Sequence, residues 1–403
     1  MTRPSARGLR GLIAGLSAAA AVSLATEPAP RSVSIVYLSR EQPAAARASL
    51  SEPASAHYGL EGAQFGLEES NNSGRFLGLE YRLLKVVVPP DGDAGAAVRR
   101  EVAAGHRLVL ADLEGADLLA AASVPEAAEA LILDTRTSDD RLRQADCRDN
   151  VFHLLPSWAM RADALGQYLQ TRHWQRWFLL RGAAPADQDF SAALKRAAVR
   201  FGATIVAEKS YDPGSDSADP DTARQQIQTR MPGITRLGVP YDMVMVADTT
   251  SSFGDYLLFN TAEPRPVAGT HGLVAEAWDP QFREYAARGV LYRFFRMTGR
   301  EMTERDYGNW LGMAVIAEAV TRGAAPDPRS IRKYILSERF SLAANKGEGL
   351  TFRRWDHQLR QPLLLFGQRV LVSMAPLSEY RHPGYQTDTL GFDESDSECR
   401  RAR

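Results

Sequence analysis

Only two of the 403 residues are cysteine, Cys147 and Cys399, and the seven histidines are scattered. So few thiols exclude a disulfide-dense scaffold, and no Cys/His spacing suits a zinc site. Charge of one sign is missing as well: 48 basic residues stand against 49 acidic ones, a formal net charge of −1. The bulk electrostatics therefore give no reason to expect nucleic acid. There is no Gly-x-Ser-x-Gly elbow, no Walker-type phosphate loop and no pair of zinc ligands at helical spacing. Catalysis has no support in the letters, so the chain reads as a non-enzyme with no cofactor and no metal. Beyond residue 25, no apolar run approaches the ~20 residues of a membrane-spanning helix.

What is present begins at the N-terminus. Residues 1–10 carry Arg3, Arg7 and Arg10 without an acid, and residues 11–25 (GLIAGLSAAAAVSLA) are uncharged. The run ends Ser23-Leu24-Ala25, a small-x-small cleavage site, before a polar stretch. That order is a secretory signal peptide over 1–25; a membrane anchor is the alternative. Cleavage would remove three arginines and no acid, taking the net charge to −4. In an exported protein the even cysteine pair suggests a Cys147–Cys399 disulfide, with two free thiols as the alternative.

Strand and helix signals then alternate. Residues 33–38 (VSIVYL), 81–88, 108–110 and 130–134 read as strands, with helical spacing at 57–71, at 94–104 and after Asp112. This rhythm predicts a parallel, doubly wound sheet. The stretch 130–160 reads as strand, charged loop, extended run and helix start, hence as a first crossing between two lobes. Pro156 disfavours helix before it and Ser157 is a good N-cap. The pattern restarts with a helix from Trp158 and strands at 177–180, 204–207 and 243–246. Residues 265–279 look like a return crossing, with glycines around Thr270-His271 that permit close approach. Long helices at 281–296 and 306–322 follow, then shorter elements to residue 375. The expected division is a first lobe of 33–150 plus 267–325, a second lobe of 151–266 plus 330–376, and a polar tail at 377–403. Two such lobes joined by more than one crossing form a hinged clamp, with ligand outside the carboxyl ends of the strands.

The candidate ligand-binding residues follow from that geometry. Trp158, behind an N-cap serine, offers a face for a planar ligand, and its helix start favours an anion; a core role is the competing reading. Ser157 either bonds ligand or only caps. Arg136 and Arg181 follow strand ends, where a guanidinium fork suits a carboxylate. Asp248 ends a strand and suits an amine or hydroxyl, or else organises a turn. Thr270 and His271 lie at the return crossing. Arg354 and Trp355 are late candidates. Arg141, Arg143 and Arg148 alternate with acids and read as a solvated, self-paired loop. Trp278 reads as packing.

Several segments carry a resemblance: SGRFLG (73–78), DDRLR (139–143) with DCRDNVFHLLPSWAM (146–160), VPYDMVMVAD (239–248), RPVAGTHGLV (265–274), MTERDYGNWL (302–311), FRRWDHQLRQP (352–362) and DTLGFD (388–393). In order and letters the chain resembles a type I periplasmic solute-binding protein of the branched-chain amino-acid-binding group. It is most similar to the branch found with pyrroloquinoline quinone (PQQ)-dependent alcohol catabolism. That resemblance implies a monomeric periplasmic receptor that delivers a small molecule, PQQ or a related metabolite, to an ABC permease. A sensor that reports to a signalling receptor and an amino-acid-binding protein are the alternatives. The branch has arginine where this chain has Trp158.

Overall fold

Alternate residues of β1 (Arg31–Arg40) serve two different cores: Val33, Ile35 and Tyr37 one, Val36 and Leu38 the other. A strand covered on both faces belongs in the middle of a parallel sheet. Around β1 are β2 (Leu79–Val88), β3 (Leu108–Asp112), β4 (Leu131–Asp134) and β5 (Val151–His153), all parallel, in the order β2-β1-β3-β4-β5. The structure, a computed structural model, describes residues 30–41, 57–213 and 220–399. The expected signal peptide lies outside the described residues.

Helices α1 (Leu60–Gly74), α2 (Ala94–Ala103) and α3 (Gly115–Ser123) join these strands. A second unit follows, in which α4 (Trp158–Thr171), α5 (Pro185–Arg200) and α6 (Pro220–Thr235) alternate with β6 (Arg176–Arg181), β7 (Thr204–Ser210) and β8 (Met243–Ala247). Next come β9 (Val267–Gly269) and β10 (Leu273–Glu276). The chain then returns to the first core through α7 (Ala287–Thr298), α8 (Glu304–Thr321) and α9 (Pro328–Ile335). A small antiparallel sheet, β11 (Leu342–Ala343), β12 (Gly349–Phe352) and β13 (Leu359–Arg360), precedes β14 (Leu363–Gly367) and β15 (Val370–Ala375). The second sheet runs β15-β14-β10-β9-β8-β6-β7, with β14 antiparallel to both neighbours. Two α/β lobes are thus joined by three crossings: after β5, at Ala277, and at 361–362.

Two crossings fall elsewhere than the sequence suggests. β5 does not open the second lobe; it closes the first sheet, with Val151 opposite Ile132 and His153 opposite Asp134. The change of lobe comes one turn later, at Pro156. The stretch from 267, expected in the first lobe, supplies β9 and β10 to the second sheet. Its glycines serve the sheet itself. Gly269 and Gly272 have φ of 123° and 79°, and a Cβ on Gly269 would stand 2.1 Å from the Val246 carbonyl. The helix expected from 281 begins only at Ala287, because Tyr285 and Ala286 take left-handed φ of 47° and 67°.

Two polar segments are also more buried than their letters suggest. Arg143 is 2% exposed. Its guanidinium donates to Gln358 Oε1 (2.8 Å) and to the carbonyls of Asp139 (2.8 Å), Thr137 (2.9 Å) and Leu155 (3.1 Å). Arg141, in contrast, is exposed and pairs with Asp139, and Arg148 donates to carbonyls of its own loop. In the tail, Leu390 enters the second-lobe core, and Asp388 accepts from Arg353 and Arg360. Cys147 and Cys399 are bonded across 252 residues, with 5.6 Å between their Cα atoms.

Candidate functional site

The carboxyl ends of the two sheets face each other across a cleft of about 720 Å³. From the first lobe, β4 ends at Asp134, whose Oδ1 accepts from the backbone N–H groups of Arg136 (3.1 Å) and Thr137 (3.0 Å). This turn presents Arg136, Thr137, Ser138 and Asp139 to the cleft. β3 leads in the same way to Glu114 and the start of α3. From the second lobe come the start of α5, the loop from Asp248 to Ser251, and Gly269-Thr270. Trp158 and Arg161 of α4 and Glu304 of α8 stand where the lobes join.

Of the candidates read from sequence, Arg136, Trp158, Asp248 and Thr270 come together here. The Arg136 guanidinium pairs with Glu114 through Nη2, while its buried Nη1 has no hydrogen-bond partner. Trp158 lies against Phe190, ring centroids 4.9 Å apart and planes tilted by 39°. Together they make an aromatic wall from two helices of the second lobe. Thr270 Oγ1 accepts from the Asp248 N–H at 3.0 Å, which joins the ends of β8 and β9.

Asp248 lines the cleft, but its carboxylate is committed to its own loop. Oδ1 accepts from the Ser252 N–H and hydroxyl, Oδ2 from the N–H groups of Phe253 and Gly254 (both 2.8 Å). It is therefore a turn organiser rather than a partner for an ammonium. Three other candidates do not line the cleft. Ser157 is buried and caps α4, accepting from the Met160 N–H at 3.3 Å. Arg181 pairs with Glu208 of the neighbouring strand at 3.4 Å. His271 points behind Thr270 toward Gly254, and burial lowers its pKa against the pull of Asp248, Asp255 and Asp187. The late pair is also elsewhere: the guanidiniums of Arg353 and Arg360 both stand 5.3 Å from the Trp355 ring centroid. Trp278 is core, stacked on Tyr307 at 4.4 Å.

Sequence reasoning missed Arg161, Asp189, Phe190 and Glu304. Arg161 donates to the Ala275 carbonyl (2.8 Å) and to Glu304 Oε2 (2.7 Å), so it spans the lobes. The Ala184-Pro185 helix start was the available signal for Asp189 and Phe190, one turn later on α5. Asp189 is raised in pKa by partial burial and by Asp139 opposite, with Arg141 pulling the other way.

Each of the three helix starts at the cleft meets a protein carboxylate. A Cβ on Gly115, at the start of α3, would lie 2.7 Å from Asp139 Oδ2. Asp140 accepts from the Ala159 N–H on α4 (3.1 Å), and burial pushes its carboxyl up to about 6. Asp187 accepts from the Ala184 N–H before α5 (3.0 Å) and from Thr249. Among the described residues that line the cleft, Arg136 keeps one guanidinium nitrogen, Nη1, without a hydrogen-bond partner.

No curated protein matches the chain by sequence. Among solved structures, a branched-chain amino-acid ABC transporter periplasmic ligand-binding protein from Burkholderia xenovorans is similar at a TM-score of 0.68 and 14% identity, covering 91% of this chain and 99% of that one. A periplasmic binding protein from Burkholderia mallei aligns at 0.65 and 13%, covering 91% and 98%. A solute-binding protein of an ABC transporter from Rhodopseudomonas palustris, in complex with 3,4-dihydroxybenzoic acid, aligns at 0.62 and 12%, covering 83% and 93%. At such identities these likenesses show the fold alone. The sequence profile of the periplasmic binding protein family matches residues 49–369, and the chain belongs to that family.

Proposed function

We propose that this protein is the periplasmic receptor of an ABC importer and that it captures a small planar organic acid between its lobes. The observation that carries the reading is Arg136: a cleft-lining guanidinium with one buried nitrogen left without a partner. Burial without a hydrogen bond is costly, and a ligand carboxylate removes that cost. The Trp158–Phe190 wall supplies the apolar face that such a ligand needs. PQQ is the specific candidate that the resemblance brings. The lining favours fewer charges, since Arg136, Arg141 and Arg161 share it with six carboxylates. One carboxylate on an aromatic body therefore suits the cleft better than three.

A second reading rests on Asp189. Among the described residues no side chain pairs with its carboxylate at the cleft, so it is the acid left to hold the ammonium of an amino acid. Calorimetric titration with benzoate, hydroxybenzoates, PQQ and branched-chain amino acids separates the readings. For a planar acid, Trp158→Ala weakens binding by about 1–3 kcal/mol and Asp189→Asn has little effect. For an amino acid, Asp189→Asn is the damaging change. No heat from any member of the panel overturns both.

Closure is the associated mechanical prediction. With the ligand that binds, small-angle scattering gives a smaller radius of gyration and an unchanged secondary-structure content, because hinge motion moves lobes as bodies. Saturable binding at constant radius contradicts the clamp.

A further inference from the structure

Lys346 lies between β11 and β12 and is 2% exposed. Among the described residues it has no ion-pair partner. Its amine donates instead to two backbone carbonyls, Ala277 and Pro362, the latter at 3.3 Å. These residues are the second and third crossings between the lobes. The rings of Tyr307 and Phe282, centroids 5.5 and 6.0 Å from Nζ, complete the enclosure.

The same place is connected to the cleft. The Ala277 N–H donates to Glu304 Oε1, and Glu304 Oε2 accepts from Arg161 of the second lobe. Both Arg161 and Glu304 line the cavity. A continuous chain of bonds therefore runs from the ligand space through Glu304 and Ala277 to the buried amine.

We propose that Lys346 is a proton-responsive hinge pin: its amine ties two crossings together, and its protonation state sets how freely the lobes move. A charged donor makes bonds roughly twice as strong as a neutral one. Burial pushes the ammonium far down, to about 7, while Glu304 of α8 and Glu276 of β10 hold it up. Burial keeps the Tyr307 phenol un-ionised, donating to the Ala344 carbonyl. As pH rises through about 7 the pin loses its charge and the crossings loosen; as pH falls it tightens. A periplasmic protein shares the proton concentration of the medium, so the hinge experiences that change directly.

The test needs no ligand and so stands apart from the reading of the cleft. A fluorescence donor–acceptor pair is placed on exposed Gln64 of the first lobe and Val199 of the second, with the native disulfide intact. In the full chain, the interlobe distance distribution broadens as pH rises from 5.5 to 8.5, with one midpoint within about one unit of 7. Lys346→Arg, always charged, keeps the narrow distribution throughout, and Lys346→Met keeps the broad one. A distribution in the wild type that does not change with pH overturns the proposal. So does a wild-type-like transition in either variant.

Discussion

Arg143→Met lowers the folding stability of this protein by about 3–5 kcal/mol, the scale for removing one partner from a buried charged network. Methionine fills much of the space but abandons three carbonyls, the Gln358 amide oxygen and the Asp134 carboxylate 3.6 Å away. Those acceptors belong to the charged loop, to the first crossing and to the segment just before the third, so the loss is felt at the junction of the lobes. The midpoint of the first transition in guanidinium chloride measures it. Arg143→Lys restores the charge without the fork and recovers only part of the loss. An independent signal comes from His153, which touches Asp134 at 2.8 Å and whose pKa is lowered by burial and then by Arg143. Its imidazole titrates higher in Arg143→Met than in wild type, read by NMR. A variant as stable as wild type, with His153 unmoved, shows that the loop carries no such network.

Replacing both Cys147 and Cys399 by serine costs about 3–5 kcal/mol, near the upper end for a disulfide because the closed loop is long. The bond does more than shorten the unfolded chain. Cys147 belongs to the first-lobe loop between β4 and β5. The tail that leads to Cys399 leaves the second lobe, where the Gly391 N–H donates to Asp163 of α4 and its carbonyl accepts from Arg196 and Arg200 of α5, and reaches the first-lobe loop where the Glu398 N–H donates to Gln144. The disulfide is thus a fourth, covalent link between the lobes. Unfolding oxidised and reduced protein side by side, with the serine variant as control, gives the magnitude. Two titratable thiols in unreduced, denatured protein contradict the link.

What was legible in the sequence followed physical signals of short range. The two-sided apolar runs of β1, β3 and β4 announced buried parallel strands, and the strand ends located the cleft. Pro156-Ser157 marked the start of α4 and so placed Trp158 at the lobe edge. Other features depended on distant partners. Nothing near Arg143 says that it will be buried, because Gln358 and Leu155, which bury it, come from other parts of the chain. Arg161 and Glu304 look like ordinary helix-face charges until three crossings bring them together. Of the two readings of Asp248, the turn role is the one its bonds take, for a local reason that the letters contain. Ser251-Ser252-Phe253-Gly254 is a turn-forming stretch whose N–H groups and hydroxyl claim a strand-end carboxylate. Gly269 and Gly272 suggested flexibility beside a ligand, whereas they let two strands approach.

The carboxylates at the three helix starts bear on what the cleft turns away. Phosphate and sulfate settle readily on free helix N-termini. Here Asp140 accepts from the first turn of α4, Asp139 stands beside the start of α3, and Asp187 of α5 accepts from the Ala184 N–H that precedes its helix. A small inorganic oxyanion there meets like charge from these carboxylates, and it has no carbon surface to lay against Trp158 and Phe190. The proposed ligand, an organic acid, brings its charge to Arg136 together with a body that can lie on the aromatic wall. Under the proposed reading of the cleft, anions are told apart by the carbon body that accompanies the charge.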